Sequence, residues 1–184
     1  MVVETMGLEK KIKEIADGIF TESGYVDIQE LTFYPEIRSI CEGNACRNYG
    51  KTWACPPGTG TLDECKTRVE QYDRMLLLSK KYDLKHSFDF RGMFKSMREF
   101  KKLIDELEAN IKGELTEYQL LSNEGCERCE KCTYPDAPCR FPDKLHHSLE
   151  GYGLIVNELA KAAGTKYNNG ENTVTFFGAL LYKI

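Results

Sequence analysis

The chain has 184 residues, 41% hydrophobic and 29% charged, with a formal net charge of −4 and a pI near 5.5. That is enough apolar material for one packed core, and it excludes a disordered tail or a fibre. The acidic balance argues against a nucleic-acid partner, because neutralising phosphates takes a positive footprint.

In chain order, Leu8, Ile12, Ile15, Ile19 and Phe20 recur at three- and four-residue steps and predict an amphipathic helix ending near Gly24. Residues 26–34 read as a strand stopped by Pro35. Residues 41–60, CEGNACRNYGKTWACPPGTG, read as a loop rich in turn signals. Leu62, Cys65, Val69 and Tyr72 mark one face of a short helix, and the continuous apolar run of 75–79 marks a buried strand. The clearest helix covers 92–113, with Met93, Met97, Phe100, Ile104, Leu107 and Ile111 as its stripe and Lys101, Lys102, Lys95 and Arg98 on the solvated side. A strand over 118–121 follows. Pro142 and Asp143 then open a helix that Gly164 ends, Asn169-Gly170 resembles a hairpin turn, and TVTFFGALLYKI closes the chain as a strand. The expected architecture is a single α/β or α+β domain over 1–184, a mixed sheet with flanking helices and two cysteine-rich metal-binding loops.

The first twenty residues lack the apolar run and cleavage site of a secretory signal. No window approaches the ~20 apolar residues of a membrane-spanning helix, so membrane insertion is not expected. The expected location is cytoplasmic, where thiols stay reduced. Eight cysteines in that setting point to metal rather than to disulfides.

Four of them fall in CERCEKCTYPDAPC, residues 126–139. Thiolate selects soft or borderline ions such as clustered iron, zinc or copper(I). Zinc sites usually combine one Cys-x2-Cys knuckle with a distant pair. Cys126, Cys129 and Cys132 instead follow the C-x2-C-x2-C run of bacterial ferredoxins, whose fourth cysteine lies beside a proline. Cys139 follows a proline rather than preceding one, and lies further along than in that pattern. The expectation is a [4Fe–4S] cluster, with zinc as the alternative.

Cys41, Cys46, Cys55 and Cys65, separated by four, eight and nine residues, fit no common metal pattern. Their surroundings still resemble a ligand loop. Gly43, Gly50 and Gly58 let backbone amides approach sulfur, and Trp53 excludes water from it. Cys65 lies on an apolar helical stripe, where a small buried hydrophobe explains it as well as a ligand does. Without Cys65 the site has three thiolates and an open position.

The two blocks, C-x4-C-x8-CPPG and C-x2-C-x2-C-x-YP-x2-PCR-x-P followed by HSLEGYGLIV, resemble an uncharacterised family of cysteine-rich prokaryotic proteins, the domain of unknown function 2284. The second motif fixes Cys126, Cys129, Cys132, Tyr134, Pro135, Pro138, Cys139, Arg140, Pro142, Ser148, Glu150 and Gly153 together. The resemblance implies metal binding, without an established reaction.

Arg140 is read as balancing cluster charge or pairing with Asp136 or Asp143. Ser148 and Glu150 are read as helix-surface residues, and His86, His146 and His147 as ordinary histidines. There is no serine nucleophile elbow, phosphate-binding glycine loop, H-E-x-x-H helix or C-x3-C-x2-C run. The leading expectation is therefore an iron–sulfur protein with one or two [4Fe–4S] clusters that passes electrons to a redox partner protein. The alternatives are an iron–sulfur enzyme with an open cluster position acting on a small molecule, and a zinc-stabilised interaction module.

Overall fold

The computed structural model describes residues 2–184. Its frame is one five-stranded mixed sheet with helices on both faces, an α+β arrangement. The strands are β1 (Glu22–Val26), β2 (Arg74–Asp83), β3 (Tyr118–Ser122), β4 (His147–Ser148) and β5 (Thr173–Tyr182), in the spatial order β1-β2-β5-β3-β4. All neighbours pair antiparallel except β3 and β4, which run parallel.

The apolar run in β2 is buried because both faces of the sheet are covered. Leu76 and Leu78 point to one side, with Ile12, Ala16 and Phe20 of α1 (Val2–Ile19) and Phe100, Ile104, Leu107 and Ile111 of α4 (Phe90–Ile111). Met75 and Leu77 point to the other, with Cys65 and Val69 of α3 (Leu62–Glu70) and Leu159 and Ala160 of α5 (Val156–Ala162). Each such fully buried leucine contributes about 1.5–3 kcal/mol. The stripes expected of α1, α3 and α4 thus face the core. Within α4, Met93 and Met97 are only half-buried.

Several expected boundaries are corrected. The first strand is β1, ending at Val26 rather than beginning there, because the Asp27 side chain accepts from the Gln29 amide (2.9 Å) and starts a 3-10 turn over Ile28–Glu30. Pro35 opens α2 (Pro35–Glu42) as its first helical residue instead of merely ending a strand, so Cys41 rides on a helix. Pro142 starts only a 3-10 turn, Pro142–Lys144, since His147 and Ser148 are drawn into the sheet beside Leu121 and Ser122. Helix resumes at Val156, after Gly153 with its left-handed φ of 73°, and ends before Gly164 as expected. Asn169-Gly170 lies in the loop before β5, whose hydrogen-bonded neighbours are β2 and β3, so it joins no hairpin.

Behind the β3–β4 edge, the fully buried Tyr152 hydroxyl sits 2.8 Å from the Arg68 guanidinium, 2.7 Å from Gln119 Nε2 and 2.9 Å from His147 Nδ1. Burial, then the Arg68 charge, holds the His147 imidazole down to about 4. Tyr152→Phe keeps the ring, leaves Arg68 and Gln119 without their acceptor and takes the hydroxyl away from His147 Nδ1. We expect a loss of roughly 1–3 kcal/mol in urea unfolding, with the fold retained.

Candidate metal centres

Both cysteine blocks reach the same end of the sheet. The chain leaves β3 at Ser122 and returns to its edge at β4, and the excursion of 123–146 carries the second block. The first block spans α2 and the loop that leads into α3. That loop is stitched to β4, with the Ser148 amide donating to Ala54 O (2.9 Å). Arg38 of α2 donates to Gly151 O (2.6 Å), Gly60 O (2.7 Å) and Thr59 Oγ1 (3.0 Å), which anchors the helix that carries Cys41. The loop closes on itself through Gly50 N to Pro56 O (2.9 Å).

All eight cysteines are free thiols. The fold sorts them into three groups. Cys126, Cys129, Cys132 and Cys139, all partly buried, line one cleft with Trp53, Arg128, Arg140 and Leu145. Cys41, Cys46 and Cys55 line a second cavity of about 360 Å³ with Ile37, Tyr49, Ser148 and Glu150. Cys65 is apart from both. Fully buried in the core below the sheet, it directs its sulfur at Thr59 O (3.5 Å) and lies 3.9 Å from an Arg38 guanidinium nitrogen.

The two cavities adjoin. The Gly125 amide donates to Cys55 Sγ at 3.2 Å, so the residue just before Cys126 supplies a backbone N–H to a thiol of the other group. Gly125 has a φ of 74°, and a Cβ there would come within 3.1 Å of the Asn48 side chain, so glycine suits this close approach. Among the expected sulfur donors, the Gly43 and Gly50 amides go to carbonyl oxygens instead. Trp53 is likewise corrected: it comes from the first block but packs on the second, edge-on to Tyr134 (4.8 Å between centroids) and donating to Ala137 O (3.2 Å).

Lys101, expected on a solvated face, is instead partly buried between the two groups. Its ammonium donates to Asn123 Oδ1 and Glu124 O (2.8 Å each), Gly125 O (3.1 Å) and Asn123 O (3.4 Å). Burial lowers its pKa, partly opposed by the charges of Glu124, Cys126 and Cys55. Helical spacing alone put Lys101 with its exposed neighbours. Only the turn brought over α4 by β3 separates it from them.

Ser148 and Glu150 are not helix-surface residues. Ser148 is buried, 3.8 Å from Cys55 Sγ, and its hydroxyl accepts from the Gly151 amide (3.1 Å). Glu150 opens a 3-10 turn, Glu150–Tyr152, and its Oε2 is buried with no hydrogen-bond partner. Burial pushes its carboxyl up to about 7. Burial, then the nearby Glu150 charge, pushes the Cys41 thiol up to about 11. Their shared motif with the cysteines was the one signal in the sequence that set Ser148 and Glu150 apart.

Charged neighbours complete the second cleft. Arg128 pairs with Asp105 through both terminal guanidinium nitrogens, and Arg98 Nε donates to Glu127 (2.9 Å). Arg140 donates to Lys131 O (2.9 Å) rather than pairing with Asp136 or Asp143. Asp105, Glu108 and His146 also gather within 4.8 Å of one another. The Arg128 guanidinium already occupies Asp105, which disfavours a second cation there.

The sequence profile of one family, described as predicted metal-binding protein (DUF2284), matches residues 24–182. The chain belongs to that family. No curated protein and no solved structure matches it. In this DUF2284 member, seven of the eight thiols line two adjacent cavities. Such donors suit clustered iron, zinc or copper(I). A backbone N–H on sulfur and a buried carboxylate oxygen with no partner are features of a ligand shell rather than of an apolar core. Among the described residues, no helix is long and apolar enough to cross a membrane.

Proposed function

We propose that this is a cytoplasmic iron–sulfur protein that holds two [4Fe–4S] clusters and exchanges single electrons with a redox partner. Cys126, Cys129, Cys132 and Cys139 hold one cluster, and Cys41, Cys46 and Cys55 hold the other. The observation that carries this reading is the junction of the two thiol groups: Gly125 N–H on Cys55 Sγ, one peptide from Cys126. Bound there, the clusters supply one-electron storage at a potential set by their surroundings.

The chain's own residues do the rest. Lys101 places a buried positive charge between the thiol groups and favours added negative charge on either. Gly125 N–H stabilises electron density on the Cys55 sulfur. Trp53 and Leu145 shield the second cleft from water, while Cys46, which is exposed, leaves the first group open to solvent. That opening favours a second reading, an enzyme whose first site receives a small molecule.

The test is metal analysis of protein purified without air. We expect a brown protein with iron and acid-labile sulfide in equal amounts, about eight of each per chain. Stoichiometric zinc in a colourless preparation from iron-replete, oxygen-free cells overturns the proposal in favour of a zinc-stabilised interaction module.

A further inference from the structure

We infer that Glu150 is the fourth ligand of the first site, so that its donors are three thiolates and one carboxylate oxygen. The inference rests on the cluster reading above and gives the open corner of that reading an occupant.

Three thiols line the first cavity, and a four-iron cube offers four corners. The remaining cysteine of the block does not supply the last one. Cys65 is fully buried in the apolar core, its sulfur aimed at Thr59 O, and it does not line the cavity. Glu150 does line it, beside Cys41, Cys46 and Cys55. Its Oε2 has no partner anywhere around it. A buried carboxylate oxygen is stable when it is paired, hydrogen-bonded or bound to metal. The nearest candidate cation, Lys101, already has four acceptors in the turn at 123–125. A metal at the thiols supplies the missing positive partner.

The backbone under Glu150 is built to hold it there. Ser148 N–H binds Ala54 O, next to Cys55 in the chain, and Ser148 Oγ accepts from Gly151 N. Gly153 N–H closes the turn on Glu150 O (2.9 Å). At Gly151 a Cβ would lie 2.6 Å from Ser148 Oγ and 3.2 Å from Pro56 Cδ, so the turn is pressed against the residue that follows Cys55. Cys55 and Glu150 are therefore fixed to each other through a short hydrogen-bonded path. Glu124 also borders the cavity, but neither of its carboxylate oxygens is both buried and without a partner, as Glu150 Oε2 is. A hard oxygen among soft sulfurs makes one iron chemically distinct and the most readily exchanged.

The deciding experiment compares wild type, Glu150→Gln, Glu150→Cys, Glu124→Gln and Cys65→Ser, each enriched in 57Fe and purified without air. Mössbauer and electron paramagnetic resonance spectra are recorded with iron content and circular dichroism. In wild type one cluster is expected to show a single iron with oxygen-type parameters. Glu150→Gln keeps its secondary structure and loses that signal, with about one iron fewer per chain and the spectrum of a three-iron cluster. Glu150→Cys regains the full iron content with four sulfur-type irons, which separates ligation from folding. Glu124→Gln and Cys65→Ser keep the wild-type spectra. A Glu150→Gln spectrum identical to wild type overturns the assignment, as does a loss confined to Glu124→Gln or Cys65→Ser. Wild type free of iron and sulfide overturns the cluster reading itself, and this inference with it.

Discussion

The double variant Cys129→Ser/Cys132→Ser is expected to keep about half of the iron and acid-labile sulfide of the wild-type chain. The two thiol groups line separate cavities, so removing two ligands from the cleft of Cys126 and Cys139 leaves Cys41, Cys46 and Cys55 in place. The consequence for folding should be local. The excursion at 123–146 contributes no side chain to either core cluster, and all of residues 127–144 are exposed or only half-buried. Its order then depends on metal, because the free energy of binding is also the free energy of folding the loop. We expect limited proteolysis inside this excursion to speed up by roughly tenfold or more in the double variant, while β2 and β5 keep their hydrogen-exchange protection. Loss of all the iron would show instead that the two blocks share ligands. Unchanged iron would remove the second site altogether.

Lys101→Met should affect both stability and redox chemistry. The methionine fills much of the same space without the charge and the donors. Asn123 O, Glu124 O, Gly125 O and Asn123 Oδ1 then lose the ammonium that gathers them. Removing one partner from such a buried arrangement costs about 2–4 kcal/mol, to be read from urea unfolding of the metal-free, reduced protein. In the metal-loaded protein a positive charge disappears from between Cys55 and Cys126. The reduced, more negative state loses stabilisation, so the midpoint potentials should fall, by on the order of 50 mV. Potentials that stay in place while stability drops would mean that Lys101 acts only as a structural clamp. Lys101→Arg keeps the charge and should move the potentials least.

Much of the frame is legible from spacing alone. The stripes of α1, α3 and α4 and the apolar run in β2 each predicted the face that is buried. These signals are local, set by a helical period of 3.6 or by a strand covered on both sides. The boundaries that moved did so through contacts with distant residues. Residues 147 and 148 left a helical reading because they pair with β3, and that pairing depends on a sheet order no local pattern encodes.

The same division runs through the site. From the sequence alone came the density of cysteines, the ferredoxin-like run at 126–132 and the ambiguity of Cys65, because ligand spacing reflects how far a short loop can reach. Tertiary structure alone divided eight thiols into groups of four, three and one, carried Trp53 to the far block, drew the Lys101 ammonium into the turn at 123–125 and turned Glu150 inward. Each of those outcomes depends on residues far apart in the chain meeting across the β3–β4 edge. Meetings of that kind are decided by which packing buries the most apolar surface with its polar groups satisfied.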